Sequence, residues 1–485
     1  METDLLHDLS LIVPELFLTL SAMAILLTGV FQKTDGDRSR LISFLSTSVF
    51  AITIYLVIET LARSGTAFND LFIEDGYSSF IKVFILIGGA VAINLTRVDF
   101  VDVKAWRYES AVLIMLACVG MMFMVSAHNF MTLYMGLELQ SLSLYVLASI
   151  RRDHSKSTEA GLKYFVLGAL SSGFILYGMS LVYGYTGSLG FAPIAKTIGS
   201  DAVLSVGAVV GLVFILTGIA FKISAVPFHM WTPDVYEGAS TSITAFFASA
   251  PKFAAIGVLV RLLYEPFSAY IVQWQQIILF MSVASMIVGA FGALHQKNIK
   301  RLFAYSSIGH IGYALMALTV GNLSSLSSLL FYMSIYFVMS VGSFALIIYV
   351  KHEDRSIEEI SDLAGLSKTQ PFMAFLMAIF MFSMAGIPPL AGFLGKLYVF
   401  YSVVEGGMYW LAVVGVLSSV VAAYYYLKVI KVMYFDESVE EATISKAPAS
   451  SLILLSSGLI LLTLIFDPAV LTQYTQMAAV SLFQP

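Results

Sequence analysis

Apolar runs of about 20 residues recur along this chain, and each can cross a hydrocarbon layer of roughly 30 Å as one helix. They fall near 9–31, 41–62, 79–96, 109–127, 130–149, 160–184, 203–230, 242–263, 268–294, 302–320, 325–350, 371–404, 408–434 and 450–471. Polar residues or Gly, Pro and Asn separate them. The runs are continuous rather than alternating, which excludes a membrane β-barrel. They occupy more than half of the 485 residues, and the gaps are too short for a soluble domain. A soluble protein is about 45–50% apolar and about 25% charged. This chain is 59% apolar and 12% charged, which excludes an ordinary cytosolic enzyme and a disordered chain. A net charge of −5 offers phosphates no basic face, so a nucleic-acid binder is excluded too. One cysteine rules out a disulfide framework and a CxxC metal or iron–sulfur site. The expected fold class is an all-α polytopic membrane protein with about 14 transmembrane helices. The first run follows the acidic stretch METDLLHD, without a basic start or a small-residue cleavage pattern, so it is expected to stay as a helix.

Loop charges set the expected orientation, because short cytoplasmic loops collect Lys and Arg. Lys33, Arg38 and Arg40 follow the first run, Arg97, Lys104 and Arg107 the third, and Arg151, Arg152 and Lys156 the fifth. Lys297, Lys300 and Arg301 follow the ninth, Lys351, Arg355 and Lys368 the eleventh, and Lys428, Lys431 and Lys446 the thirteenth. The other side has only Arg63 and Lys196 in its loops, with Arg261 near a helix end. The basic loops are expected in the cytoplasm, and both termini on the outer side.

Five lysines remain inside the runs: Lys82, Lys163, Lys222, Lys252 and Lys396. Lys82 and Lys163 sit near span ends, where a long stem can snorkel to the interface. Lys222, Lys252 and Lys396 lie deeper, and Glu138 lies near the middle of the fifth run. Each such charge costs at least about 2.5–3.5 kcal/mol, and a helix bundle can be held together without them. A static buried ion pair is one reading. The other is a set of proton sites lining hydrated cavities. Desolvation lowers a lysine's proton affinity and a nearby carboxylate restores it, so a carboxylate that moves acts as a switch.

Two runs are too long for a bilayer and contain proline: 203–230 with Pro227, and 371–404 with Pro388 and Pro389 after Gly386. Proline breaks a helix, and inside a membrane such a break survives where protein or water satisfies the freed carbonyls. His229, beside Pro227, is expected to orient the first break. The two runs are five spans apart and so run in opposite directions, each with a lysine near its proline. Spans 5 and 10 are likewise five apart and carry Glu138 and His310. This placement predicts two inverted five-helix repeats, spans 4–8 and 9–13, with broken helices 7 and 12 and sites at the midplane. The expected division is an N-terminal three-helix region (1–108), a first repeat (109–263), a second repeat (264–435) and a C-terminal helix (436–485). The segment KHEDRSIEEISDLAGLSKTQ has Ile357, Ile360, Leu363 and Leu366 at helical spacing, and reads as a surface strut or a solvated connector.

The runs FKISAVPFHMWTPDVYEGASTSITAFFASAPKFAAIGVLVR, NIKRLFAYSSIGHIGY, SDLAGL, FSMAGIPPLAGFLGKLYVF and YMGLELQSLSLYVLASI together resemble the antiporter-like subunits of respiratory complex I. The resemblance covers essentially all of the chain. Within that family WTPDVYEGA looks like the N branch, the counterpart of mitochondrial subunit 2, rather than the L and M branches. Lys396 stands where the M branch is expected to carry glutamate, and the long lateral helix of the L branch is not expected.

The resemblance implies that Glu138 and Lys222 are the family's carboxylate–lysine pair, Lys252 its central lysine and Lys396 the lysine of the second half-channel. Lys163 and His310 match polar positions on the same axis. It implies a proton-translocating subunit of the bacterial inner membrane, driven by quinone reduction elsewhere in the complex. No cofactor is expected in this chain; NADH, FMN, iron–sulfur clusters and quinone belong to other subunits. Expected partners are other membrane subunits on two lateral faces and lipids, in a hetero-oligomer without nucleic acid. The alternatives are a cation/proton antiporter subunit of the same fold, which needs more buried acids than Glu138 and Glu15, a scaffold without transport, and the membrane subunit of a related hydrogenase.

Overall fold

The structure, a computed structural model, describes residues 2–31, 35–101, 107–200, 205–352, 355–437, 442–444 and 448–483. Lys33, Lys104 and Lys446 lie outside the described residues. The chain opens with α1 (Glu2–Leu11), α2 (Val13–Phe31), α3 (Asp35–Thr60), a hairpin of β1 (Gly65–Ala67) and β2 (Phe72–Glu74), and α4 (Gly76–Val101). Next come α5 (Tyr108–Val125), α6 (Phe130–Ala148), α7 (Ser155–Thr186) and the short α8 (Phe191–Ser200). They are followed by α9 (Val206–Ile223), α10 (Trp231–Gly238), α11 (Thr241–Ala248), α12 (Ala250–Tyr264), α13 (Ile271–Ala293), α14 (Ile299–Leu318) and α15 (Leu323–Tyr349). The last part holds β3 (Val350–His352), β4 (Arg355–Ser356), α16 (Leu366–Thr369), α17 (Pro371–Ala385), α18 (Ala391–Glu405), α19 (Tyr409–Phe435), β5 (Ala442–Ile444), α20 (Pro448–Thr463) and α21 (Ala469–Phe483).

Ten helical stretches among the described residues are long and apolar enough to cross a membrane, and Pro371–Ala385 and Ser450–Thr463 are shorter apolar helices. With lipid as solvent, helices solve the backbone problem by bonding every N–H and C=O internally. Tight contact between them uses small residues. A Cβ on Gly178 of α7 would stand 2.5 Å from the Gly211 carbonyl of α9, so only glycine lets these two helices meet.

Contacts between loops define two faces. On a basic face, Arg151 lies 3.6 Å from Asp99, Lys156 pairs with Glu237 at 3.0 Å, and β3 pairs with both β4 and β5. On the opposite face Phe72 bridges Ala127 and Asn129 bridges Gly190. There the Phe68 N–H donates to Asp8 of α1 at 3.1 Å, and Ser327 of α15 bonds Thr475 of α21 at 3.1 Å. Both ends of the described chain therefore reach one face, called the terminal face below.

The structure corrects several expectations. Lys82 does not snorkel; it is fully buried against Glu15 and Glu74. Glu74, Asp75 and Asp99 join Glu15 as buried acids. Asp75 and Asp99 have partners remote in sequence, and Glu74 meets Lys82 of the following helix, so span-by-span reading missed them. The 351–370 segment is no helical strut. Ile357, Ile360, Leu363 and Leu366 are buried as anchors of a connector made of strand, a 3-10 turn and the four residues of α16. The run at 450–471 is two helices, because α20 ends at Thr463 and α21 starts at Ala469. The span holding Lys252 is also broken: α11 and α12 meet at Ser249 (φ −111, ψ −93), and Pro251 starts α12. Lys252 therefore sits in the first turn of α12 and still near the middle of the Thr241–Tyr264 span.

Candidate functional site

The two expected breaks set the site's geometry. α9 ends just after Lys222, and Ser224 takes the left-handed conformation (φ 64) before a cis Val226–Pro227 peptide. α10 resumes at Trp231, whose indole N–H donates back to the Phe221 carbonyl at 3.0 Å. His229 lies within this break, between the cis Val226–Pro227 bond and α10. The second break lies between α17 and α18, at Gly386 (φ 82) and a cis Pro388–Pro389 peptide. The positive φ favours glycine there, and a side chain would also displace Lys396. Left-handed backbone strains other residues, and a Cβ on Gly386 would stand 2.8 Å from the Lys396 side chain. A Cβ on Gly392 would stand 1.9 Å from the Ser383 carbonyl, so the half-helices meet at backbone distance.

Lys222 donates to Ser141 at 2.8 Å, Tyr145 at 3.3 Å and Ser172 at 3.4 Å. Glu138, Ser141 and Tyr145 recur at helical spacing on α6, which places the carboxylate beside these hydroxyls. Among the described residues no ion pair within 4.0 Å joins Glu138 to Lys222. Glu138 Oε1 is buried without a hydrogen-bond partner, and its charge acts on Lys222 through space.

Lys252, 1% exposed, donates to Ser307 of α14 at 2.6 Å and stands 5.3 Å from the Tyr236 ring centre. Between Lys222 and Lys252 lie aromatic contacts: Tyr145–Tyr164 at 4.8 Å, Tyr164 stacked on Trp231 at 4.5 Å, and Trp231–Tyr236 at 6.4 Å.

His310 sits on the same helix as Ser307, one turn further on. Its Nδ1 bonds the Tyr332 hydroxyl at 2.6 Å and its Nε2 the Tyr426 hydroxyl at 3.1 Å. Tyr426 also bonds Ser306. Both Lys252 and Lys396 act on His310 electrostatically. Lys396 donates to the Ala385 carbonyl and to Ser419, both at 2.9 Å, and stands 5.1 Å from the Tyr313 ring centre. That carbonyl is free because α17 ends there. A cavity of about 10 Å³ between His310, Tyr313, Tyr426 and Lys396 has room for about one water molecule.

Lys163 stands apart from this chain. Its side chain is 41% exposed on the basic face and pairs with Glu159 and Asp234, each at 2.7 Å. Arg301 bonds Asp234 at 2.7 Å. Burial alone would raise the Asp234 carboxyl, but the bonds from Lys163 and Arg301 outweigh it and hold the group below the usual carboxylate range. The structure thus joins Lys252, His310 and Lys396 through α14, sets Lys222 and Glu138 one aromatic layer away, and leaves Lys163 at the surface. The hydroxyls that hold these groups were missed by sequence reasoning. Only the helical spacing of Ser141 and Tyr145 from Glu138, and of Ser307 from His310, signals them.

Residues 127–422 match the family described as NADH:quinone oxidoreductase/Mrp antiporter, TM. NADH-quinone oxidoreductase subunit N of Rhodospirillum rubrum is 48% identical over 473 residues, covering 97% of this chain and 96% of that one. Subunit N 1 of Rhizobium meliloti is 53% identical over 436 residues, covering 89% and 90%. A chain of respiratory complex I from Thermus thermophilus superposes with a TM-score of 0.81 at 29% identity, covering 95% and 98%. A chain of the Mrp complex from Dietzia sp. shares the fold, with a TM-score of 0.81 at 21% identity and coverage of 97% and 98%. With half its length and more inside the family match and near-complete relatives at this identity, the chain belongs to the subunit N family of the NADH-quinone oxidoreductases.

Proposed function

We propose that this chain translocates protons as one membrane subunit of a bacterial NADH–quinone oxidoreductase, along an axis of Glu138, Lys222, Lys252, His310 and Lys396. One observation carries the reading. Among the described residues, the three deep lysines and the histidine are held by hydroxyls, a carbonyl and aromatic rings, with no carboxylate in contact. A static ion pair would put a carboxylate against each. Arg261 of the same chain does have that arrangement, against Asp75. Groups whose charge is met only by neutral dipoles are suited to exchanging it.

In this reading fourteen helices cross the inner membrane, arranged as two inverted repeats (109–263 and 264–435) behind an N-terminal region (1–108) and before a C-terminal one (436–485). The basic face lies in the cytoplasm and loads protons; the terminal face releases them. Quinone reduction in other subunits, which hold the NADH, FMN, iron–sulfur and quinone sites, changes the field at one lateral face. Glu138 then shifts its pairing with Lys222, whose proton passes through Lys252 and His310 to Lys396. Lys163 and its ionic cluster feed the entry side. Other membrane subunits cover two lateral faces, and lipids the rest. Moving one charge against about 150 mV costs about 3.5 kcal/mol. Bringing a carboxylate to 4 Å from an ammonium gains about 4 kcal/mol at an effective dielectric near 20, so one such movement is of the right size. Replacing Glu138 or Lys222 by alanine is expected to reduce proton pumping per electron sharply in the assembled complex. Normal pumping in both variants removes the assignment.

A further inference from the structure

The buried cluster of Glu15, Glu74 and Lys82 lies outside both proposed repeats, and the axis above does not use it. Glu15 is in the first turn of α2, Glu74 ends β2, and Lys82 follows in the second turn of α4. All three side chains are fully buried. Lys82 Nζ lies 2.7 Å from Glu15 Oε1 and bonds Glu74 Oε2. Ser79 donates to Glu74 Oε1 at 2.6 Å. Neither Glu15 oxygen has a hydrogen-bond partner among the described residues; Oε1 has the ion pair with Lys82, and the buried Oε2 has no such contact.

The charges in this cluster do not balance. Two carboxylates and one ammonium bury a net charge of −1, and an uncompensated charge out of water carries a large penalty. The N-terminus of α4 offsets a part of it. A proton on one carboxyl removes the rest, and the bare Glu15 oxygen offers it a place. Burial, opposed by Lys82 and reinforced by Glu15, holds the Glu74 carboxyl above the usual carboxylate range.

The neighbouring ionisable groups are already satisfied. Asp75 is bound by Arg261 at 2.9 and 2.8 Å, and Arg261 also bonds Glu265 at 2.6 Å. Tyr77 donates to the Gly257 carbonyl at 2.9 Å. From α1, Asp8 accepts the Phe68 N–H; from α5, Cys118 faces the Ile85 carbonyl; Glu59 at the end of α3 pairs with Arg63 at the surface; α21 brings only the exposed Tyr474. None of these supplies the missing positive charge.

Glu74 adjoins Asp75, which Arg261 joins to Glu265. Glu265 lies 3.3 Å from His128 Nδ1, and their side chains are 16% and 14% exposed on the terminal face. Arg261 and Lys252 stand at opposite ends of α12, and Asp75, next to Glu74, is bound at the Arg261 end, away from the central lysine.

We propose that Glu15 and Glu74 share one exchangeable proton across Lys82, forming a proton-holding site at the terminal face, on the release side of the axis. In release, the O–H bond of the carboxylic acid breaks, the proton passes to water at the terminal face, and the cluster goes from neutral to −1. Reloading restores neutrality. Only the direction of release rests on the proposed axis; the holding of a proton does not.

Infrared difference spectra of the assembled complex, titrated with pH, test this. The intact complex is expected to show a carboxylic-acid C=O band that titrates. Glu15→Gln and Glu74→Gln each leave one carboxylate against Lys82, a neutral pair, so each is expected to assemble normally, to lose that band and to slow proton ejection at the terminal face. Lys82→Met leaves two carboxyls without an ammonium and is expected to keep or strengthen the band. An intact complex without a titrating band, or a band retained in both glutamine variants, overturns the site. A lost band with unchanged ejection kinetics overturns its place on the release path. Failure of the axis reads differently: normal pumping in Lys222→Ala with this band untouched.

Discussion

Proton translocation by the assembled complex is expected to fall by about two orders of magnitude when Lys252 is replaced by methionine, while the chain stays in the membrane at its normal amount. A positioned side chain that relays a proton contributes roughly 10²–10⁴-fold, and Lys252 is linked by hydrogen bond to the helix that carries His310. Methionine has a similar length and shape. It removes a charge whose burial costs at least about 2.5–3.5 kcal/mol, so stability is expected to hold or rise. Ser307 keeps its other bond, to the Ala304 carbonyl at 2.7 Å. Pumping and chain abundance, measured together, separate the two roles. Normal pumping shows that the ammonium is no relay, and loss of the chain shows that it is structural.

The largest loss of stability is expected for Arg261→Met. Arg261 is 1% exposed, donates to both carboxylate oxygens of Asp75 and also to Glu265. It ties β2 and the start of α4 to the end of α12, contacts separated by 186 residues. Removing the cation strands a buried carboxylate, which costs about 3–5 kcal/mol out of a typical net stability of about 5–15 kcal/mol. Pairing it with Asp75→Asn is expected to recover much of that loss, because a neutral buried pair no longer leaves an unmatched charge. Thermal unfolding of the purified complex checks both. A single variant within about 1 kcal/mol of the parent contradicts the strut role.

What could be read from sequence was whatever the period of an apolar run or one out-of-place residue betrays. The breaks at Pro227 and at Pro388 and Pro389 lie where proline ends the helix. Lys252 and Lys396 are buried and Lys222 half-buried, because a charge inside an apolar run has few other places to go. What could not be read depends on pairing across the chain. Lys82 looked like a snorkelling end residue because Glu15 and Glu74 come from other elements. Ser307, Tyr332 and Tyr426 look like ordinary bundle residues until His310 and Lys252 are placed against them. The break at Ser249 is marked only by Pro251, which also fits a helix start, and that is what it is. Lys163 was placed on the axis by resemblance, but Glu159, one turn earlier, and Asp234 of α10 hold it at the surface.

The claim on which the rest depends is that buried lysines on separate helices are connected by a hydrated path. A map of ordered water in the intact assembly, at a resolution that shows single molecules, measures this directly. The expected result is water bridging the gap between Lys222 and Lys252 and filling the cavity between His310 and Lys396. Dry packing around all three lysines, with no water within hydrogen-bonding reach of their ammonium groups beyond the serines and tyrosines named here, would contradict the account.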